Sequence, residues 1–333
     1  MKKLLITSAL ASSLIASVAF AEVKVGGGLE ITYGDAQTAS NAAQKYNGTA
    51  IGYEAELDIS ASADLSNGMK VATHMEYISD GGGTATTGSG PSDVSIKVSS
   101  GALTLYVGQD DMEALDNNVV PKAYNLIEDN ISARTASTDY AAGGPVAGKS
   151  AVGINYKVAG GSITYLYGPD TTLTASQGDN ASTSGGGSGY ELAYVGSPIA
   201  NLNIILGTGS VKASSSAITA DTDYLVYGFG YQMGKFAVGA SFTNSDGGTA
   251  ATDLDTMYYG ATMAVNDATT IGLQRQTWET ASATGTETTD QLEIAYNLGG
   301  MTAAVAYQKT DEAGASSTGG EADAYTITLK TSF

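Results

Sequence analysis

Few side chains in this 333-residue sequence are able to do chemistry, and most of those are carboxylates. His74 is the single histidine and cysteine is absent, which excludes a multi-histidine metal site and a thiol nucleophile. No serine stands in a nucleophile-elbow setting, so a hydrolase built around His74 has no partner for it. The runs Gly81-Gly82-Gly83 and Gly185-Gly186-Gly187 lack the following helix that a phosphate cradle needs. With no catalytic set left, no enzyme is predicted. What remains is charge at fixed spacing. Glu54, Glu56 and Asp58 alternate with Tyr53, Ala55, Leu57 and Ile59. On a strand, that spacing sends three carboxylates to one face and the apolar set to the other. Lys70, His74 and Glu76 share a face in the same way, opposite Val71, Met75 and Tyr77. By the same parity Glu191, Glu293, Lys24, Lys97, Lys157 and Lys330 lie on the polar sides of their own segments. If the chain turns near Ser66, Asp58 faces His74 and Glu56 faces Glu76. Like charges that close are tolerable only in water, so the polar face is expected to line a wet lumen.

The elements that must carry these residues are strands. Period-two apolar segments recur from Val23 to Phe333, and no helical periodicity of similar length competes with them. Sixteen can be counted. Short turns at Ser66-Asn67-Gly68, Ser100-Gly101, Gly160-Gly161, Ser197-Pro198, Gly234, Asn266-Asp267 and Gly299-Gly300 alternate with long polar connections. The long ones span 34–50, 79–92, 109–149, 169–187, 213–222, 244–253, 280–288 and 309–321. Strict alternation is expected of a barrel whose turns sit on the periplasmic rim and whose loops sit on the outer one. Parity assigns Ile131 to Tyr140 to the third loop and not to a strand of its own. A soluble sandwich would hardly expose Tyr33, Tyr53, Tyr77, Tyr167, Tyr190, Tyr307 and Tyr325 at strand ends, where a membrane barrel carries aromatic girdles. The last segment, from Ala324 to Phe333, alternates without a break and needs a partner strand, which closure supplies.

Composition agrees with export. Met1-Lys2-Lys3, an apolar stretch from Leu4 to Phe20 and the small-residue end Ala19-Phe20-Ala21 have the pattern of a secretory signal. Cleavage is expected after Ala21, leaving Glu22 to Phe333 as the mature chain. Without Lys2 and Lys3 that chain carries 13 basic and 34 acidic groups, a formal charge of −21. Such a surface excludes nucleic acid as a partner.

In strand count, parity and terminal Phe333, the chain resembles the general diffusion porins of Gram-negative bacteria, especially those of alphaproteobacteria. The segment Gly101-Ala102-Leu103-Thr104-Leu105-Tyr106-Val107-Gly108-Gln109-Asp110, leading into a long third loop, is similar to the fifth strand and inward-folding loop of that family. The Pro-Glu-Phe-Gly-Gly motif of many porins is missing. So is their arginine cluster, since Arg134 and Arg275 are the only arginines. The resemblance implies an all-β, 16-stranded antiparallel transmembrane β-barrel with an inward-folded third loop, a homotrimer in the outer membrane among its lipids and lipopolysaccharide. It also implies passive diffusion of ions and small hydrophilic solutes. A substrate-specific channel and a non-conducting adhesive or structural barrel are the alternative readings.

The 109–149 connection is far longer than any other, and loops of that length in compact folds are usually functional. Met112, Leu115, Val119, Val120, Leu126 and Ile127 give it an apolar side to pack on an inner wall. Folding inward would carry Asp110, Asp111, Glu113, Asp116, Glu128 and Asp129 to the narrowest point, facing Lys70, Lys97 and His74. Weak to moderate cation selectivity follows. The competing reading pairs those acids with wall lysines or with calcium. Arg275 has two open placements. Phase with Ile271 and Leu273 puts it on the lipid face, snorkelling to lipopolysaccharide phosphates, whereas a bulge would turn it into the lumen.

Overall fold

A computed structural model describes residues 22–38, 48–82, 85–86, 90–109, 114–115, 119–121, 145–146, 150–169, 187–212, 221–247, 253–280, 286–311 and 321–333. These form one antiparallel sheet and, among the described residues, no helix. Its staves are β1 (Glu22–Thr38), β2 (Gly48–Asp64), β3 (Lys70–Gly82), β5 (Gly90–Ser100), β6 (Leu103–Gln109), β7 (Ser150–Val158), β8 (Gly161–Gly168) and β9 (Gly189–Ile199). They continue with β10 (Leu202–Val211), β11 (Thr222–Met233), β12 (Phe236–Asp246), β13 (Leu254–Ala264), β14 (Thr269–Thr280), β15 (Glu287–Asn297), β16 (Met301–Asp311) and β17 (Glu321–Ser332). The two-residue β4 (Ala85–Thr86) only extends the ladder at the far end of β3, through Gly81 and Gly82. Sixteen staves therefore make the wall, as the alternating pattern predicts. Each pairs with its neighbour, and β1 pairs with both β2 and β17, so the sheet closes. Gly27 and Phe333 complete the seam with two backbone bonds, 3.1 and 3.0 Å long.

Alternation sorts the two faces inside out. Leu206, Leu273, Val107 and Ile294 are all exposed, whereas Thr310, Thr328 and Gln291 are buried on the opposite face. A wall that exposes its large apolar residues and shelters its polar ones suits hydrocarbon outside and polar surroundings inside. The seven tyrosines assigned to girdles gather at the long-connection rim. There Tyr167 lies opposite Tyr190, and the Tyr307 and Tyr325 rings stand 4.8 Å apart. At the turn rim Tyr156, Tyr231, Phe236, Tyr296 and Phe333 form the counterpart.

Two local expectations are corrected. Ser197-Pro198 does not turn the chain: β9 runs on to Ile199, and Ala200-Asn201 makes the turn, with Asn201 at φ 67°. The ladder to β10 shifts between Leu202 and Ile204, so Pro198 falls in the irregularity, where its missing N–H breaks no regular bond. The turn after β2 does use Ser66-Asn67-Gly68, closed by Leu65 and Met69 with Gly68 at φ +79°, but the hairpin centres on Asn67 and not on Ser66. Asp58 is consequently paired with Glu76, Ser60 with His74 and Glu56 with Ile78, a register two residues from the one expected. The stretch from Ile131 to Tyr140 lies outside the described residues.

Candidate functional site

The inner wall has an acidic side and an amide-hydroxyl side. On the acidic side β2 sends Glu54, Glu56 and Asp58 inward, each half-buried. Asp58 and Glu76 stand directly opposite in the ladder, and the His74 imidazole bridges diagonally back, with Nε2 3.1 Å from Asp58 Oδ1. Glu30 on β1 adds a buried carboxylate between Glu54 on one side and Lys330 on the other, whose amine lies 3.3 Å away. Lys70 is exposed at the turn end of β3. Lys97 on β5 sits over the Tyr106 ring, 5.7 Å from its centroid. Lys24 reaches Glu22 at 3.4 Å. Round the wall from β12 to β17, which adjoins β1, the inward residues are chiefly Ser, Thr and Gln. One of their networks runs from the Tyr258 hydroxyl to Gln274 and from Gln274 Nε2 to Glu293 Oε2 at 3.3 Å.

Glu191 was predicted to face inward, and the wall of β9 holds it there fully buried. Its carboxylate is capped by the chain between β6 and β7. The Ala114 and Leu115 amides donate to Oε2 at 2.7 and 3.3 Å, and the Val146 amide donates to Oε1 at 2.8 Å. Leu115, Val119 and Val120 pack with Ala193, Ile205, Val226 and Tyr258, all buried. Of the six apolar residues expected to make such a contact, these three are described; Met112, Leu126 and Ile127 lie outside the described residues.

This contact is close because the wall opposite it is glycine. A Cβ on Gly230 would lie 1.9 Å from the Val119 carbonyl oxygen. On Gly260 it would lie 2.5 Å from the Pro121 carbonyl oxygen, on Gly239 2.7 Å from Pro121 Cδ, and on Gly207 2.4 Å from Leu115 Cδ2. Four neighbouring strands, β10 to β13, thus present bare backbone to the segment. The sequence reading missed this seam, although its signal was visible as glycines at inward positions of successive strands. Glu30, too, was missed. The acids proposed for the narrowest point, Asp110, Asp111, Glu113, Asp116, Glu128 and Asp129, lie outside the described residues, and with them the calcium reading.

Arg275 is settled. The ladders of β14 to β13 and β15 run without a shift, so no bulge turns it inward. It projects outward beside Tyr259, directly opposite Asp290, and clasps it with Nε and Nη2 at 2.5 and 2.6 Å.

A closed 16-stave barrel, apolar outside and charged within, fits the result of comparison with known proteins. The family model described as Gram-negative porin matches residues 7–315. The chain belongs to that family. A variant of the porin of Rhodopseudomonas blastica superposes with a TM-score of 0.64 at 16% identity, covering 94% of this chain and 100% of that one. Another variant of the same porin gives 0.62 at 15%, with the same coverage. A loop-deletion mutant of OmpT, an outer membrane protein of Vibrio cholerae, gives 0.63 at 15%, over 94% of this chain and 99% of that one. No curated protein matches. As a member of the family, this porin resides in the Gram-negative outer membrane and forms a channel for passive diffusion of ions and small hydrophilic solutes.

Proposed function

We propose that the porin is a non-enzymatic, weakly to moderately cation-selective channel whose bore is narrowed by the 109–149 connection. The observation carrying this reading is the meeting of that connection's described residues with the inward faces of β9 to β13, through Glu191 and the glycine seam. Asp110, Asp111, Glu113 and Asp116 are next to the anchored Ala114 and Leu115, so they would stand near the same wall. Opposite it lie Glu54, Glu56, Asp58 and Glu76. Fixed negative charge between low-dielectric walls concentrates cations. Aromatic side chains that would mark a sugar track face mostly outward, which favours general diffusion over a substrate-specific channel. We assign the mature chain to Glu22–Phe333 after signal cleavage and the working unit to a homotrimer, on family likeness.

Reversal potentials across a KCl gradient in planar bilayers test the reading. Cation preference is expected, and it should fall when Asp110, Asp111, Glu113 and Asp116 are together changed to Asn or Gln. Anion preference, or unchanged selectivity in that variant, overturns it. Saturable block by one sugar would favour the specific channel, and no conductance would favour the adhesive barrel.

A further inference from the structure

We propose that Asp58, His74 and Glu76 form a divalent transition-metal site in the lumen wall, taking zinc or a cation of similar ligand preference. One candidate ligand atom from each of the three lies within 4.8 Å of the other two. They belong to two paired strands of a closed wall, so only side-chain rotation is needed to draw them around an ion. The donor set is one imidazole nitrogen and two carboxylates. Calcium takes six to eight oxygen ligands, more than this set supplies. Zinc takes three protein ligands at about 2.0–2.2 Å and leaves a fourth position for water. All three side chains are half-buried on the inward face, so that fourth position opens on the channel.

The surroundings bias the site further. The β3–β5 ladder shifts between Met75 and Tyr77, and Glu76 stands at this irregularity. Glu56 and Asp93 also act electrostatically on Glu76. A dication placed between Asp58 and Glu76 would neutralise two carboxylates that the register sets face to face. Magnesium is held by oxygen ligands and keeps most of its water, so the imidazole gives it no advantage. His74 is therefore the residue that separates a specific site from general cation attraction.

The test uses the full mature porin. In detergent micelles, Co2+ added to the wild type is expected to give the visible absorption band of a nitrogen-and-oxygen site of low coordination number, and Zn2+ should displace it. In bilayers, micromolar ZnCl2 should reduce the current and its cation preference, with EDTA restoring both, whereas equal MgCl2 should not. H74N is expected to lose the Co2+ band and to need at least about tenfold more Zn2+ for half-effect. E76Q and D58N, read in the same two ways, cover the case in which H74N does not fold. Absence of both the band and the zinc effect in the wild type overturns the proposal. So does a zinc response that persists in H74N. Because the band is read without a bilayer, failure of conductance leaves this test standing on its own.

Discussion

Glu191 has two oxygens and three amide donors, and those donors come from two stretches 30 residues apart, at 114–115 and 146. A carboxylate is the one side chain that accepts from both stretches without offering a hydrogen they would clash with. Replacing it by alanine leaves three buried N–H groups unmatched. Hydrogen bonds to a charged group contribute about 1.5–3 kcal/mol each, less whatever water recovers. E191A is therefore expected to destabilise the porin by about 3 kcal/mol in denaturant unfolding from lipid vesicles, and to raise open-channel current noise. E191Q keeps one accepting oxygen and should lose less. Equal midpoints for wild type and E191A would refute the anchoring role. Arg275 poses the opposite problem, since its pair with Asp290 faces lipid. An unpaired cation on that face costs about 2–4 kcal/mol at the midplane and about 0–1 near the interface. The pair lies two ladder steps beyond the row holding Leu273, Leu292, Tyr307 and Tyr325, which is the girdle. D290A should thus cost about 1 kcal/mol, and R275L/D290L close to nothing; a loss above about 2 kcal/mol would place the pair deeper in the hydrocarbon.

Between elements, the decisive contacts are those of backbone with backbone. Val119 to Pro121 lies against β11, β12 and β13 where glycines replace side chains, and Gly230 has the least room of all. Valine there has nowhere to go except into the Val119 carbonyl. G230V is expected to displace the connection and change single-channel conductance by twofold or more, while G300A, in a turn where an added Cβ meets nothing within 4 Å, should leave conductance unaltered. Equal conductance of G230V and wild type would mean that the connection does not bound the channel. This contact also shows what was legible beforehand. Strand existence, number and facing depend on period two and on turn parity, which are local, so β6 ending at Gln109 and β7 starting at Ser150 fall on the expected loop boundaries. Register depends on single turn residues: centring the bend on Ser66 instead of Asn67 moved Asp58 from its true partner, Glu76. Pro198 read as a turn because proline breaks ladders, yet an irregular register accommodates it within β9. The partners of Glu191 were beyond reach, because nothing in the residues near position 191 specifies which distant amides will meet it.

At the scale of the whole porin, a formal charge of −19 is spread over the 333-residue chain, but only the part near the bore acts on a passing ion. Screening separates the two contributions. The Debye length is about 10 Å at 0.1 M salt and about 3 Å at 1 M, so wall charge reaches across the lumen only in dilute solution. Glu54, Glu56 and Asp58 are half-exposed inside and lie on one strand, so E54Q/E56Q/D58N removes three charges without touching the Glu191 anchor. Its amides retain the shape and hydrogen-bonding capacity of the wall. The variant is expected to show at least about a twofold lower cation-to-anion permeability ratio than wild type at 0.1 M KCl, converging with it at 1 M, where both ratios approach unity. The low-salt difference isolates the wall, because the acids of the 109–149 connection are common to both proteins. An identical ratio at 0.1 M would assign all selectivity to that connection or to the outer loops. A difference that survives at 1 M would instead mean direct ion contact with the three carboxylates, since screening removes a field acting at a distance but not an ion held against its ligand.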